Sequence, residues 1–265
     1  MLTHPAVSSG EKQRPCNLEG QMKVYVLTNI GSVRKDNQDA AAFEVFEKKN
    51  RAVMGVCDGM GGARAGSVAS NMAVDCFIEQ VKPVLNAPKR IPDIKKILIS
   101  AAEKANEAVF DKSVLEADCR GMGTTLVALF MDGSKYFIVN IGDSRGYHIS
   151  GGKAVRITRD HSLVEEMVDR GTLTQEQART HPQKNVITRA IGIASEVKSD
   201  VFEGAIKKGE FILLCSDGLT NIISDEEILR FFEKDAEPET ICAGLMDLAL
   251  ERGAPDNVTT AVLSA

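Results

Sequence analysis

Residues 52–59 read AVMGVCDG, an apolar run of strand length that ends in an acidic residue followed by glycine. Residues 211–218, FILLCSDG, repeat this design, so two apolar strands would deliver Asp58 and Asp217 at their ends. An unpaired ionised carboxylate at the end of a buried strand is costly, because a low dielectric disfavours charge. Asp-Gly alone is a common turn pair, but its repetition after two core strands favours a cation bound by these carboxylates.

Further apolar runs surround these two segments. The predicted strands are Val24–Leu27, Ala40–Phe46, Ala52–Cys57, Thr124–Met131, Lys135–Ile141, Phe211–Cys215 and Val258–Leu263. The predicted amphipathic helices are Ala65–Val81, Pro92–Phe110 and Pro238–Leu250. Because the order is not a regular βαβ alternation, the sequence predicts a layered α+β fold, with sheets packed face to face and helices outside.

The chain of 265 residues is within the range of one large domain. Residues 1–20 mix Pro, Ser, Gly and charge without periodicity, which predicts a mobile N-terminal tail before a folded domain at 21–265. Residues 160–185 are polar and charged, with only short helical patterns. We call this segment the flap, because its low apolar content predicts a surface element.

Composition excludes several classes of function. The net charge of −5 provides no basic surface for nucleic acid, and no apolar run is long enough to span a membrane. The N-terminus has no signal-peptide pattern, so the protein is predicted to be cytoplasmic. The six cysteines have no CxxC spacing and are predicted to be reduced thiols, most of them buried.

Three more acidic motifs complete the pattern. They are RKDNQD at 34–39, IGDSRG at 141–146 and PDNVT at 255–259. Each alone reads as a solvated charge cluster or an Asx turn, so the signal is the set of five. All five offer hard oxygen ligands and the four histidines lie outside them, which favours magnesium or manganese over zinc.

The order of the motifs identifies a family. RKDNQD, DGMGG (58–62), GMGTT (121–125), GDSRG, LLCSDGL (213–219) and PDN (255–257) occur in that order. This arrangement resembles the type-2C, metal-dependent protein phosphatases, most closely their bacterial members, over roughly residues 22–265. The resemblance implies a four-layer αββα fold, a central β-sandwich of two antiparallel sheets flanked by helices. It also implies a dinuclear Mn or Mg centre at one end of the sandwich.

The resemblance also assigns roles to residues. Asp58 would bridge both metals, and the carbonyl of Gly59 would bind the second. Asp217 and Asp256 would hold the first metal, and together with Asp58 they would carry catalysis. Asp39 would support the second metal.

Two further residues follow from the same motifs. Arg34 matches the arginine that grips the phosphate, where a planar fork can bind two phosphoryl oxygens. Asp143 matches an aspartate that holds a third, weaker metal in bacterial relatives, with the Asn185 carbonyl as a candidate co-ligand. The implied reaction is hydrolysis of phosphoserine and phosphothreonine by water activated between two divalent cations.

The sequence departs from the family at one place. Many relatives have a histidine within or just after the DG motif, assigned as the proton donor to the leaving group, whereas this chain has Met60 and Ala63. The donor would then be metal-bound water or a histidine such as His161 or His181. Both histidines also have a simpler interpretation as flap surface or turn residues.

Two other functions remain open at this level. One is an inactive phosphoprotein-binding module of the same fold, although such proteins usually lose a metal aspartate and this chain keeps them all. The other is an enzyme for small phosphorylated metabolites. The expected partners are phosphorylated proteins, including a cognate Ser/Thr kinase and its targets, with no nucleic acid and no membrane. The protein is expected to be a monomer.

Overall fold

The structure, a computed structural model, describes residues 22–62, 65–87, 91, 93–233 and 236–265. The tail predicted at residues 1–20 lies outside the described residues.

Two antiparallel sheets form the centre of the molecule. The first has the order β1-β11-β10-β7-β8, formed by Lys23–Asn29, Val258–Ser264, Phe211–Cys215, Arg145–Ser150 and Lys153–Arg156. The second has the order β2-β3-β5-β6-β9, formed by Asp39–Phe46, Arg51–Met60, Leu126–Asp132, Lys135–Ile141 and Asp200–Ala205. The two-residue strand β4, Gly123–Thr124, pairs with the end of β3.

The inner strands are apolar on both faces because both faces are covered. In β10, Ile212 and Leu214 pack between the two sheets, whereas Leu213 points away, into the core on the other face. In β3, Met54 lies between the sheets and Val53 lies in the outer core of its own sheet. A strand buried on both sides reads as a continuous apolar run, which is why these strands are visible in the sequence.

Seven helices are described. They are α1 (Ala65–Leu85), α2 (Ile94–Leu115), α3 (Leu163–Asp169), α4 (Gln175–Thr180), α5 (Asp217–Thr220), α6 (Asp225–Leu229) and α7 (Pro238–Glu251). Short 3-10 turns occur at Glu47–Lys49 and Ala117–Cys119. Helices α1 and α2 cover the outer face of the second sheet, and α7 covers the outer face of the first.

Local sequence explains where the long helices begin and what they bury. Buried residues of α1 recur every four positions, at Ala65, Ala69, Ala73 and Phe77, so one stripe of the helix faces the sheet. Helix α2 begins after Asp93, whose carboxylate accepts a hydrogen bond from the Lys96 backbone N–H. Helix α7 begins with proline in its first turn, where the missing N–H has no cost.

The three apolar cores separate four layers, helix, sheet, sheet and helix. The predicted αββα architecture is therefore confirmed. Within the part of the chain that the structure describes, no helix is long and apolar enough to cross a membrane. The five described cysteines are free thiols, and Cys16 lies outside the described residues.

Two of the differences from the sequence expectations concern strands of the sheets and the flap. The sequence does not indicate β7, β8 and β9, because β8 and β9 are half-polar edge strands and β7 mixes Arg, Gly and His with apolar residues. The predicted flap contains α3 and α4 as short helices, but its first residues, Asp160 to Ser162, are buried. The flap is therefore anchored into the domain at its beginning.

Candidate metal centre and active site

Five aspartates lie at strand ends along one edge of the sandwich. Asp39 begins β2 and is the direct cross-strand partner of Asp58 near the end of β3. Asp217 follows β10, Asp256 precedes β11, and Asp143 lies in the bend between β6 and β7. We call these five residues the acid cluster. Antiparallel pairing places these strand ends together, although the residues lie far apart in the chain.

Asp39 is the most deeply buried acid of the cluster, 3% exposed. Its Oδ2 atom accepts hydrogen bonds from the hydroxyls of Ser216, at 2.8 Å, and Thr259, at 2.7 Å. Burial raises the pKa of Asp39 to about 7, and the two hydroxyls oppose this rise only in part. The carboxyl is thus held in place by donors from β11 and from the residue before Asp217.

Asp58 and Asp217 interact directly through their carboxyl groups. Two ionised carboxylates cannot hydrogen-bond to each other, so this contact needs a shared proton or a cation between them. Burial is the largest cause that raises the pKa of Asp58 well above its usual range, and the charges of Asp39 and Asp217 add to it. Burial and the charge of Asp256 likewise raise the pKa of Asp217.

Asp143 interacts electrostatically with the other acids of the cluster from the bend between β6 and β7, where the chain passes from one sheet to the other. Its pKa is raised well above the usual range, first by burial and then by the charges of Asp217 and Asp160. The guanidinium of Arg145 acts in the opposite direction. Asp143 and Asp217 both line the cavity described below, whose wall also includes Asn185.

Arg34 reaches the cluster from the loop between β1 and β2. Its Nη2 atom donates to Asp256 Oδ2 at 2.7 Å, and the charges of Asp58 and Asp217 also raise the pKa of Arg34. The arginine side chain remains 53% exposed. A half-exposed guanidinium can bind an anion with its other N–H groups while it keeps its hydrogen bond to Asp256.

Asn257 connects the loop that carries Arg34 to the loop that carries Asp256. Its side-chain oxygen accepts from the Gln38 backbone N–H at 2.8 Å, and its amide donates to the carbonyls of Ile30 and Asp36 at 2.9 and 3.1 Å. Asn257 therefore fixes the position of Arg34 relative to Asp256.

Gly59 allows two chain segments to approach Asp58. A Cβ atom at this position would lie 2.1 Å from the Gly66 carbonyl oxygen and 2.6 Å from that of Gln38, so no side chain fits. The Asp58 backbone N–H donates to Thr125 Oγ1 at 2.9 Å, and the Thr124 hydroxyl donates to the Asp58 carbonyl at 2.9 Å. The backbone around Asp58 is thus held on both sides.

The residues present fit hard divalent cations. Among the described residues, Asp39 Oδ1 and Asp217 Oδ1 are buried oxygens without a hydrogen-bond partner. Such an oxygen is costly to bury, and a cation would satisfy it. In the described part of the chain, no three His, Cys, Asp or Glu side chains are arranged so that they could already hold one ion. Asp256 is instead held by Arg34, so the ligand set of each ion remains a prediction.

The two histidines considered as proton donors, His161 and His181, make hydrogen bonds outside the acid cluster. His161 is 5% exposed and contacts Gly142, Asp200 and Arg189. The imidazole of His181 accepts from the Gln183 backbone N–H at 3.1 Å, which is a turn contact within the flap. Ala63 lies outside the described residues. Neither histidine contacts an acid of the cluster in these hydrogen bonds. His181 fits the simpler interpretation as a turn residue, whereas the interpretation of His161 as flap surface is wrong, because its side chain is buried.

A cavity of about 850 Å³ extends from the cluster between the flap and α6. Asp143 and Asp217 lie at its wall, and Arg179 of α4 and Glu226 of α6 contribute opposite charges. Hydrogen bonds to the Glu226 backbone N–H and to Ser224 are the main causes that lower the pKa of Glu226, and the charge of Arg179 across the cavity adds to them. The cavity is large enough for several residues of an extended peptide.

Sequence reasoning missed the residues that hold the acids. Ser216 and Thr259 bind Asp39, and Asn257 joins two loops, yet in the sequence only their acidic neighbours stand out as ligands. Ser216 and Asn257 each adjoin a predicted ligand, which is the signal that could have found them. Thr259 could have been found from its position in a strand, where alternate residues share a face.

The sequence and the fold are similar to those of known proteins. Residues 32–243 match the family model described as Protein phosphatase 2C. The chain belongs to this family.

Its relatives are bacterial enzymes. The serine/threonine phosphatase stp of Listeria monocytogenes is 38% identical over 242 residues, covering 90% of this chain and 94% of the relative. The serine/threonine phosphatase Stp1 from Staphylococcus aureus has a TM-score of 0.83 at 33% identity, covering 96% of this chain and 98% of that one. The catalytic domain of the phosphatase PstP, solved with two manganese ions, has a TM-score of 0.79 at 33% identity, covering 92% and 97%.

The chain is accordingly a protein serine/threonine phosphatase, a hydrolase of phosphate monoesters whose substrates are phosphoproteins. The manganese-bound neighbour supports metal dependence.

Proposed function

We propose that the acid cluster is the catalytic centre and binds two Mn²⁺ or Mg²⁺ ions, with a third at a weaker site. Asp58 and the Gly59 carbonyl, Asp217, Asp256 and Asp39 would hold the two ions, and Asp143 would hold the third. The observation that carries this proposal is the direct contact between the Asp58 and Asp217 carboxyls beside two buried, unpartnered carboxylate oxygens. Such an arrangement of acids is unfavourable unless positive charge is added.

The ions, when bound, would supply the Lewis acidity that lowers the pKa of a water molecule and offsets charge on the phosphoryl oxygens. The protein would do the rest by holding the acids. Ser216 and Thr259 orient the Asp39 carboxylate, and Thr125 and Thr124 fix the backbone at Asp58. These contacts would keep the ligands arranged before substrate arrives.

Arg34 would bind the phosphate of the substrate. Its side chain is half exposed, and only one of its terminal nitrogens is bonded to Asp256 in the contacts of the described residues. A guanidinium can present a second pair of N–H groups to two phosphoryl oxygens. The ion pair with Asp256 and the loop contacts of Asn257 would keep that fork directed at the cluster.

The cavity beside the cluster supports a protein substrate. It is open between the flap and α6 and has charged side chains of both signs along its walls. An extended phosphopeptide fits such a surface better than a small sugar phosphate does. We propose a cognate Ser/Thr kinase and its targets as the physiological partners. The free thiols support a cytoplasmic location, and the monomeric state stays a prediction.

Calorimetric titration with Mn²⁺ and hydrolysis of a phosphothreonine peptide test the proposal together. We expect at least two Mn²⁺ ions per chain, peptide hydrolysis that chelator abolishes, and slower turnover of sugar phosphates. Asp217→Asn should lose both binding and turnover. Asp111→Asn, the same change at an exposed position on α2, should lose neither. Normal Mn²⁺ binding in Asp217→Asn would refute the assignment of this residue.

A further inference from the structure

His161 is a buried histidine that the proposed chemistry does not use. It lies at the start of the flap, is 5% exposed, and makes hydrogen bonds through both ring nitrogens. A ring in this setting cannot easily reach a leaving group. It lies between the bend that carries Asp143 and the edge strand β9, which indicates a structural role near the acid cluster.

The hydrogen bonds of His161 decide its protonation. The backbone N–H of Gly142 can only donate, and it lies 3.1 Å from Nδ1, so Nδ1 must be the unprotonated acceptor. In the neutral ring the proton is then on Nε2, which faces Asp200 Oδ2 at 3.3 Å. Arg189 Nη1 lies 3.1 Å from Asp200 Oδ1 and also 3.1 Å from His161 Nε2. Because a guanidinium can only donate, its hydrogen bond goes to Asp200 Oδ1 and the Nε2 proton is directed at Asp200 Oδ2. Burial, the largest cause, lowers the pKa of His161, which supports a neutral ring.

His161 holds Gly142 from both sides. Its ring accepts from the Gly142 N–H, and its own backbone N–H donates to the Gly142 carbonyl at 2.9 Å. Gly142 has a φ of +106°, and a Cβ atom there would lie 2.5 Å from Thr125 Cγ2. Only glycine suits this bend, and glycine alone would leave the bend flexible. The Asn140 side chain donates to the Gly142 carbonyl at 3.3 Å, and the two contacts with His161 add a second restraint on that carbonyl and the restraint on the Gly142 N–H.

The residue after Gly142 is Asp143, whose direction depends on this bend. We propose that His161 is a positioning residue that fixes the Gly142 bend through its unprotonated Nδ1 and so aims Asp143 at the acid cluster. The proposal rests on the proposed function, because it is Asp143 as a cation ligand that makes its direction matter. Groups that orient metal ligands from outside typically change metal affinity about 10- to 100-fold when removed.

Further backbone hydrogen bonds at His161 and its neighbours connect the Gly142 bend to both ends of the flap. The Thr188 backbone N–H donates to the His161 carbonyl at 2.7 Å, and the Leu163 N–H donates to the Val186 carbonyl at 2.8 Å. His161 therefore lies where the flap leaves and rejoins the domain. Loss of the His161 ring would remove the hydrogen bond to the Gly142 N–H and so release the residue that precedes Asp143.

The first test observes the ring itself in the metal-free protein. Nitrogen NMR of histidine-labelled protein at neutral pH should show His161 neutral, with the proton on Nε2. The Gly142 amide should exchange slowly with solvent. A proton on Nδ1, or a charged ring, would overturn the proposal, because neither form can accept from the Gly142 N–H. This measurement depends on no metal and on no activity.

The second test separates the two nitrogens by substitution. The side-chain oxygen of asparagine can replace Nδ1, whereas glutamine reaches only the position of Nε2. We expect His161→Asn to keep Gly142 amide protection and Mn²⁺ binding near parent values. His161→Gln should lose amide protection and weaken the weakest calorimetric Mn²⁺ step by about 10- to 100-fold. His148→Gln, at a histidine paired with Glu210, is the matched control and should change nothing.

Asp143→Asn distinguishes failure of the inference from failure of the proposed function. If Asp143→Asn weakens Mn²⁺ binding and His161→Gln does not, the positioning role is wrong and the ligand role stands. If Asp143→Asn binds Mn²⁺ as the parent does, Asp143 is not a ligand, and both the ligand role and the purpose of positioning it are overturned.

Discussion

The molecule contains two kinds of buried or partly buried carboxylate. In the acid cluster, carboxylates face one another, and in the described residues only Asp256 has an ion-pair partner, Arg34. Elsewhere, carboxylates are matched to guanidinium groups. Asp160 receives three hydrogen-bond contacts from Arg145, and Asp132 lies 2.7 Å from Arg51.

The difference separates what stabilises the fold from what performs the chemistry. Arg51 accompanies its ion pair with hydrogen bonds to the carbonyls of Val84 and Ala87, so it also closes the end of α1. The matched pairs therefore bind elements together. The acids of the cluster raise the free energy of the metal-free fold, which is acceptable where a cation is to be bound.

The largest expected effect comes from removing one acid of the cluster. Asp58→Asn should reduce kcat with Mn²⁺ by about 1000-fold or more, equal to about 4 kcal/mol of transition-state stabilisation. The same change should make the metal-free protein more resistant to urea, because it removes repulsion between buried acids. Steady-state kinetics on a phosphopeptide and urea unfolding in chelator measure the two effects.

The matched variant is Asp132→Asn, which weakens a paired carboxylate. It should lower stability by about 1–3 kcal/mol and leave kcat unchanged. If both variants lost stability and activity in parallel, the division between the two kinds of carboxylate would be wrong.

A second effect should appear at the pair next to the cluster. Asp160→Ala leaves the guanidinium of Arg145 buried without its main partner, since Asp160 Oδ2 lies 2.7 Å from Arg145 Nη2. We expect a loss of about 3 kcal/mol in the free energy of unfolding, measured by urea denaturation. Glu227→Gln, at the more exposed pair with Arg252, should cost much less. Equal losses at the two sites would show that burial does not set the value of these pairs.

The parts that the sequence predicts follow from strong local patterns. Strands buried on both faces and helices with one apolar stripe are visible as apolar runs, so β3, β10 and α1 are found close to their observed bounds. The position of the acids at strand ends is equally local. Asp58 and Asp217 are recognisable because each lies within two residues of the end of a core strand.

The rest depends on contacts between distant residues. No local pattern shows that Thr259 binds Asp39, since 220 residues separate them. Edge strands such as β8 lack an apolar pattern because one side faces solvent. The role of His161 is hidden for the same reason, because its partner Gly142 belongs to another motif. Long-range pairing sets these features, and only the fold reveals them.

A third effect is a pH dependence that metal should reverse. The folded-state pKa of Asp39, about 7, lies above its value of about 3.9 in unfolded chains. The folded protein therefore binds more protons between these values. The contribution of Asp39 to the stability of the metal-free protein should be greatest below about pH 4 and should fall as pH rises to about 7. The slope is at most about 1.4 kcal/mol per pH unit for each such group.

Thermal unfolding at several pH values, with chelator and with Mn²⁺, measures this dependence. With Mn²⁺, stability should rise over the same interval, because the ligands bind metal only when deprotonated. Asp39→Asn should flatten the metal-free profile. A metal-free profile that rises from pH 4 to 7 would contradict a raised pKa of Asp39 in the folded protein.

The smallest expected effect comes from the hydroxyl that holds Asp39. Thr259→Val keeps the shape of the side chain and removes the donor that lies 2.7 Å from Asp39 Oδ2. Ser216 still donates to the same oxygen at 2.8 Å, so the carboxylate keeps one of its two hydroxyl partners. We expect a loss of about 1 kcal/mol in stability with Mn²⁺ bound, because the ion holds Asp39 in its ionised form. In chelator the loss should be smaller, since a protonated Asp39 needs the hydroxyl less.

Thr28→Val is the control, because Thr28 contacts the Thr259 hydroxyl at 2.7 Å and no acid of the cluster in the bonds described. If Thr259→Val and Thr28→Val responded equally to metal, the Thr259 hydroxyl would serve the packing of the sheet and not the charge of Asp39.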